Sequence, residues 1–276
     1  MNNLFDKYRY ALLKINVTDS YIFADIFDDE KYLDCIRSNN IEQLLDQAII
    51  GFSKENPTMK SYLDWKQKAE DGATEFEIVH PHGTIFRSSM ILLPGVMGAV
   101  LLIRDYHGGA TRKGDGYPYL EHPLEVGYKL WKAKFPLEVV VSGFCHDLLE
   151  DTKCTENEIL EKCGSAVLSI VKAVSNDEAL SDKKDWEKKK EKYIASVEKG
   201  GESAIAVSIM DKICNLQSFF DQYEKEGPSL WKKFNRGKEK KLWFEKSVLT
   251  MAKKHWGHPL LNQFETLVAK LESTPE

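Results

Sequence analysis

The stretch that most limits how this chain can fold is PLEVVVSGFCHDLLED, residues 136–151. Its first ten positions are apolar nearly all round, the pattern of a helix in the middle of a bundle. The polar residues then arrive together, one imidazole and three carboxylates. At about 100° per residue, His146, Glu150, Asp147 and Asp151 fall at about 0°, 40°, 100° and 140°, with Leu148 and Leu149 at about 200° and 300°. A solvated stripe gives a similar wheel, but the preceding turns carry only Ser142 on that arc. Charge at the buried end of an apolar helix persists when it is paired or binds metal.

A metal needs donors from elsewhere, and two other apolar settings offer them. PYLEHPLEV supplies His122 ahead of Pro123 at an expected helix start. SIMDKICNL supplies Asp211, with Asn215 one turn further on the same face. Two histidines and two aspartates form a hard, mixed nitrogen and oxygen set. Such a set suits manganese, iron or another first-row divalent ion better than a thiolate zinc site.

The rest of the chain reads as mainly helical after about residue 90. TENEILEKCGSAVLSIVKAV opens with Thr155 and Glu158 at capping-box spacing and has a break at Gly164. Leu260, Leu261, Phe264, Leu267, Val268 and Leu271 follow the helical period. KKDWEKKKEKYIASVEKG reads as a solvated charged helix, although Lys188, Lys189, Lys190, Lys192 or Tyr193 are also candidates to close on a phosphate. The run MILLPGVMGAVLLI is shorter than the ~20 residues a bilayer requires and is broken by Pro94, Gly95 and Gly98, so a buried helix is expected there.

Before residue 90 the chain changes character. NIEQLLDQAIIGF and NPTMKSYLDWKQKA read as helices, each opened by an asparagine cap, the second with Pro57 in its first turn. TEFEIVHPHGTIFRSS reads as a hairpin, with His80, Pro81, His82 and Gly83 as turn residues rather than metal ligands. The chain has 276 residues and a formal net charge of -5. Residues 1–88 hold 10 Lys+Arg and 15 Asp+Glu, while the remainder holds 28 of each. Without a basic face, nucleic-acid binding is not expected. MNNLFDKYRY lacks a basic start followed by an apolar core, so no leader is expected. Five cysteines without a C-x-x-C pair fit a reducing cytoplasm, with Cys145 and Cys214 as small buried apolar residues.

HGGATRKGDGYPYLEHP, HDLLEDT and MDKICNL, in that order, resemble the HD-domain hydrolases of the RelA/SpoT alarmone family, and within it the small single-domain hydrolases that lack a synthetase. The resemblance covers about residues 95 to 270. It implies a mainly α fold, an HD-domain helical bundle, assigned here to residues 89–276. Residues 1–88 lie outside the resemblance and read by their own patterns as an acidic, mostly helical accessory segment with a short β-hairpin, packed on the body. The resemblance also implies manganese-dependent removal of the 3'-pyrophosphate from guanosine 3',5'-bis(diphosphate). By position, His122, His146, Asp147 and Asp211 match the metal ligands, and Glu150 and Asp151 the acidic pair that activates water. Arg112 and Lys113 match the nucleotide loop, and Asn215 a substrate-contacting asparagine.

Two departures bear on substrate. Ala110 stands where the family usually has glutamine, and Ile209–Asn215 departs from its usual Leu-Ala-Asp-Arg-Leu-His-Asn run. Other nucleotides therefore stay open (an adenosine alarmone, NADPH or a dNTP), as does a catalytically silent alarmone-binding module. The expected partner is a small nucleotide, with no membrane. The front segment is the expected place for a homo-oligomer contact or a protein partner.

Overall fold

The computed structural model describes residues 7–16, 32–55, 62–69, 72–112, 116–176, 185–234 and 236–276. The Asn56 cap, Pro57 and Lys113 lie outside them. The front segment forms β1 (Tyr10–Asn16), β2 (Tyr32–Ser38), α1 (Ile41–Glu55), α2 (Tyr62–Ala69), β3 (Thr74–His80) and β4 (Gly83–Arg87). The strands make one antiparallel sheet in the order β2-β1-β3-β4.

The expected hairpin is β3–β4, joined through Pro81 and His82, with Gly83 at φ 121°. Its pairing with β1, which in turn pairs with β2, was not anticipated, and these two extra strands make the front segment less helical than expected. The physical reason is that YALLKIN is too short to separate strand from helix by period. Docked against β3, it alternates cleanly. Tyr10 and Leu12 enter the main core, while Ala11 and Leu13 join Val79 on the opposite face.

A 3-10 turn (Ser88–Leu92) leads to α3 (Val96–His107), which starts beyond Gly95 at φ 82°. There follow α4 (Glu121–Lys132), α5 (Leu137–Cys145), α6 (Leu148–Asp151), α7 (Glu156–Cys163), α8 (Ser165–Val174), α9 (Trp186–Glu226), α10 (Gly237–His255) and α11 (Leu260–Ser273). Local signals hold where local chemistry sets them. Asn40 Oδ1 accepts from Gln43 N at 2.9 Å to cap α1. Thr155 and Glu158 form the full capping box of α7. In α9 the charged and apolar halves meet at Gly201, whose φ of 72° and ψ of -163° mark a kink.

One hydrophobic cluster runs through both parts of the chain. Leu44, Leu45, Trp65, Ile78 and Phe86 of the front segment belong to it together with Val100, Phe144, Ile213 and Phe264. No helix among the described residues is long and apolar enough to cross a membrane.

Candidate metal centre

The site lies where α4, α5 and α9 meet, and two glycines let the first two helices approach. A Cβ on Gly143 would stand 2.5 Å from Leu130 Cδ1, and one on Gly127 2.6 Å from the Phe144 ring. Neither fits without moving a core side chain. That contact brings His122, in the first turn of α4, against His146, just past the end of α5.

The donor atoms converge. His122 Nε2 is 3.2 Å from His146 Nε2 and 3.1 Å from Asp211 Oδ1. His146 Nε2 is 3.0 Å from Asp147 Oδ1 and 3.5 Å from Asp211 Oδ1. Donors of His122, His146 and Asp147 all lie within 4.8 Å of one another. Two atoms each about 2.1 Å from one ion and at right angles to each other lie about 3.0 Å apart, so these separations fit a divalent metal. The tautomer fits as well. His146 Nδ1 faces the Gly143 carbonyl at 2.9 Å, and donating there leaves the Nε2 lone pair for the site.

One expectation about the local backbone is corrected. HDLLED does not continue α5 as a single helix; the chain breaks at His146 and Asp147, and α6 restarts at Leu148. Asp147 sits in the bridge region at φ -94°, ψ -7°. Neighbours on an unbroken helix diverge by about 100°. The break lets these two face the same point.

Ionisation follows from crowding. For His146, burial opposes the charge, but Asp147 and Asp211 outweigh it and raise the imidazole well above its usual value. Burial also opposes ionisation of Asp147 and Asp211. It is outweighed by His146 beside Asp147 and by Lys212 beside Asp211, and both carboxyls are held well below the usual range. Lys212 Nζ donates to Asp211 Oδ2 at 2.9 Å. Burial pushes His107 down to about 4, against the pull of Asp147. Its ring stacks on Tyr119 with centroids 4.5 Å apart.

Around the donors runs a cavity of about 1270 Å³. Glu150, Asp151, Arg112 and Asn215 line it together with His122, His146, Asp147 and Asp211. Arg112 Nη2 donates to Asn215 Oδ1 at 2.7 Å, and Asn215 Nδ2 donates to Asp211 Oδ1 at 2.6 Å. Of the charged helix, Lys189, Lys190 and Tyr193 reach the cavity, and Lys188 and Lys192 do not line it. The Tyr193 hydroxyl is 2.8 Å from Ser208 Oγ. His80 and His82 stand apart from the donor cluster, their rings 5.6 Å from each other.

Two side chains escaped the sequence reading. The Tyr119 hydroxyl lies 2.7 Å from Asp147 Oδ2 and 2.5 Å from Asp151 Oδ2. A phenol has one proton, so it donates to one carboxylate at a time. The Asn176 amide donates to both Glu150 oxygens, at 2.8 and 2.7 Å. Tyr119 stands three residues before His122, a spacing that could have flagged it. Asn176 leaves no local signal.

Residues 99–237, half of the chain, match an HD domain. The chain belongs to the HD-domain family. Within the family, it is 36% identical over 89 residues to the bifunctional (p)ppGpp synthase/hydrolase SpoT of Escherichia coli strain K12, a match covering 32% of this chain and 12% of that protein. It is 45% identical over 69 residues to a GTP pyrophosphokinase of Myxococcus xanthus, covering 25% and 9%. The matches thus span about an eighth or less of these relatives' length. A solved structure of a metazoan ortholog of SpoT, described as hydrolysing ppGpp, aligns with a TM-score of 0.54 at 19% identity over 64% of this chain and 94% of that one. That likeness establishes the HD fold. The partial sequence matches relate the HD domain of this chain to SpoT.

Proposed function

We propose that this HD-domain protein hydrolyses the 3'-pyrophosphate of guanosine 3',5'-bis(diphosphate), releasing GDP and pyrophosphate. The observation that carries the reading is the convergence of His122, His146, Asp147 and Asp211 beside two further carboxylates, Glu150 and Asp151, in one large cavity. A silent binding module has no use for that acidic pair.

His122, His146, Asp147 and Asp211 would hold the divalent ion, manganese on this reading. The ion supplies Lewis acidity, acidifying water in contact with it and neutralising phosphate charge. The chain's own groups do the rest. Glu150, fixed by Asn176, accepts the proton of the attacking water. The water oxygen bonds to the phosphorus next to the 3'-oxygen, that phosphorus–oxygen bond breaks, and the 3'-oxygen takes up a proton. Asp151, held by the Tyr119 hydroxyl, is the second carboxylate available to orient the water. Arg112 offers a planar face to the base, Asn215 a polar edge, and Lys189 and Lys190 line the cavity as counter-charges for phosphate. Lys113 is proposed beside Arg112 from sequence position alone.

Ala110 lines the cavity where the family usually has glutamine, which keeps a second nucleotide as the competing substrate. Purified protein with manganese, incubated with guanosine and adenosine alarmones, NADPH and dNTPs, separates the two. GDP and pyrophosphate as the preferred products support the proposal; a higher kcat/KM on any other member of the panel overturns it.

A further inference from the structure

The turn leading into α4 is gripped from the front sheet. Arg9, next to the first residue of β1, donates from Nε to Glu121 Oε2 at 3.0 Å and from Nη2 to Glu121 Oε1 at 2.6 Å. This two-pronged pairing is the strong, directional form of an ion pair. The Tyr10 hydroxyl adds a third bond to Glu121 Oε2 at 2.8 Å. The pair is largely shielded from water, with side-chain exposures of 19% and 8%. The same guanidinium also lies over the ring of Tyr117, 3.3 Å from its centroid. One side chain therefore holds both ends of residues 117–121.

That turn connects to both halves of the candidate site. At its start, the Tyr117 carbonyl accepts from Arg112 N at 2.8 Å, and Thr111 bridges to Pro118. In its middle, Tyr119 reaches Asp147 and Asp151. Immediately after it comes His122, whose N–H is bonded to the Tyr119 carbonyl at 3.1 Å. Movement of the Glu121 carboxylate or the Tyr117 ring has a short, bonded route to a metal donor and to the Arg112 loop.

We infer that Arg9 is a positioning residue for the hydrolase centre: through the turn of residues 117–121 it sets the His122 ring and the Arg112 loop, so the front sheet governs metal affinity and nucleotide affinity together. The inference rests on the reading of His122 as a ligand and Arg112 as a nucleotide contact. A plain structural staple would look similar in the fold but would act only on stability. Lys14–Glu55 supplies the comparison, because it ties the same sheet to α1 at 2.5 Å and has no link to the turn.

The test uses the full chain with Arg9→Ala, Arg9→Lys, Tyr117→Leu and Lys14→Ala. Three quantities are measured: cobalt affinity of the metal-stripped protein by its visible absorption, KM against kcat on the nucleotide turned over, and the melting temperature. Arg9→Ala should weaken cobalt binding about tenfold, the lower end for groups that orient a ligand from behind it, and raise KM more than it lowers kcat. Arg9→Lys should recover much of the cobalt affinity, since the charge stays, but not KM, since the flat stack on Tyr117 is lost. Tyr117→Leu should raise KM with cobalt affinity kept. Lys14→Ala should move the melting temperature alone. Cobalt affinity and KM within twofold of wild type in Arg9→Ala and Arg9→Lys, with only the melting temperature lowered, overturn the inference. Absence of nucleotide turnover by the unaltered protein would instead sink the functional reading, while the cobalt comparison would still decide for or against Arg9.

Discussion

Arg112 and Asn215, 103 residues apart in sequence, are joined by a 2.7 Å hydrogen bond, and Asn215 passes the contact on to Asp211 Oδ1 at 2.6 Å. The loop cation is thus one amide away from Asp211, a candidate metal ligand. Arg112→Ala should weaken substrate binding and leave metal content unchanged, because Asp211 keeps both imidazole contacts. The loss should appear mainly in KM if the contact is equal in ground and transition states. Steady-state kinetics with metal analysis checks it; an unchanged KM removes the loop from the substrate site.

His146→Ala and Asp147→Ala each delete one donor from a four-residue cluster, so both should lose bound metal and activity together. Elemental analysis of the purified variants decides. Full occupancy with normal turnover would show that the metal sits elsewhere.

Glu150→Gln is nearly isosteric and still bonds, but it cannot accept a proton. Metal should be retained and kcat should fall by roughly 10²-fold or more, the scale of general-base loss. A wild-type rate would transfer the role to Asp151, whose contact with Tyr119 already places it at the cavity wall.

Two neighbouring histidines give opposite pH signatures. Burial lowers His80, opposed by Glu125 and Glu121 and assisted by Arg9 and His82, and its Nδ1 accepts from the His82 backbone N–H at 2.9 Å. Its folded value lies below the unfolded 6.5, so its contribution to stability is present above pH 6.5 and fades as pH falls through the folded value. The hydrogen bond to Asp221 raises the half-exposed His82. That contribution is complete below pH 6.5 and fades as pH rises through the folded value. Melting temperatures across the pH range should therefore lose part of their acid-side slope in His80→Gln and part of their slope above pH 6.5 in His82→Gln. Parallel curves for all three proteins would refute both assignments.

A chain shortened to begin at Ser88 would strip Glu121 of Arg9 and Tyr10 and uncover core residues now packed with Leu44, Leu45 and Phe86. It should be poorly soluble or melt at markedly lower temperature. An unchanged melting temperature with full activity would make the front segment an independent module and favour a partner-binding role for it.

The parts of the fold that were legible in sequence are those set by near neighbours. The asparagine cap of α1, the capping box of α7, the turn at Pro81–Gly83 and the apolar face of α11 depend on residues two to four apart. The site was legible in part for a different reason. Histidine and aspartate beside an apolar helix are costly to bury without a partner, so their presence in three such settings points to a shared site.

Sequence alone therefore determined the residue types of the site, the helical character of the body and the acidic bias of the front. Tertiary structure decided the pairing of β1 and β2, because a seven-residue apolar strand acquires its register only from the neighbour it docks on. It decided the break between α5 and α6, which turns His146 and Asp147 toward one point. It also brought Tyr119 to Asp151, Asn176 to Glu150 and Arg9 to Glu121 across 32, 26 and 112 residues. Such contacts have no period or spacing to betray them, since their geometry exists only once separate elements have packed.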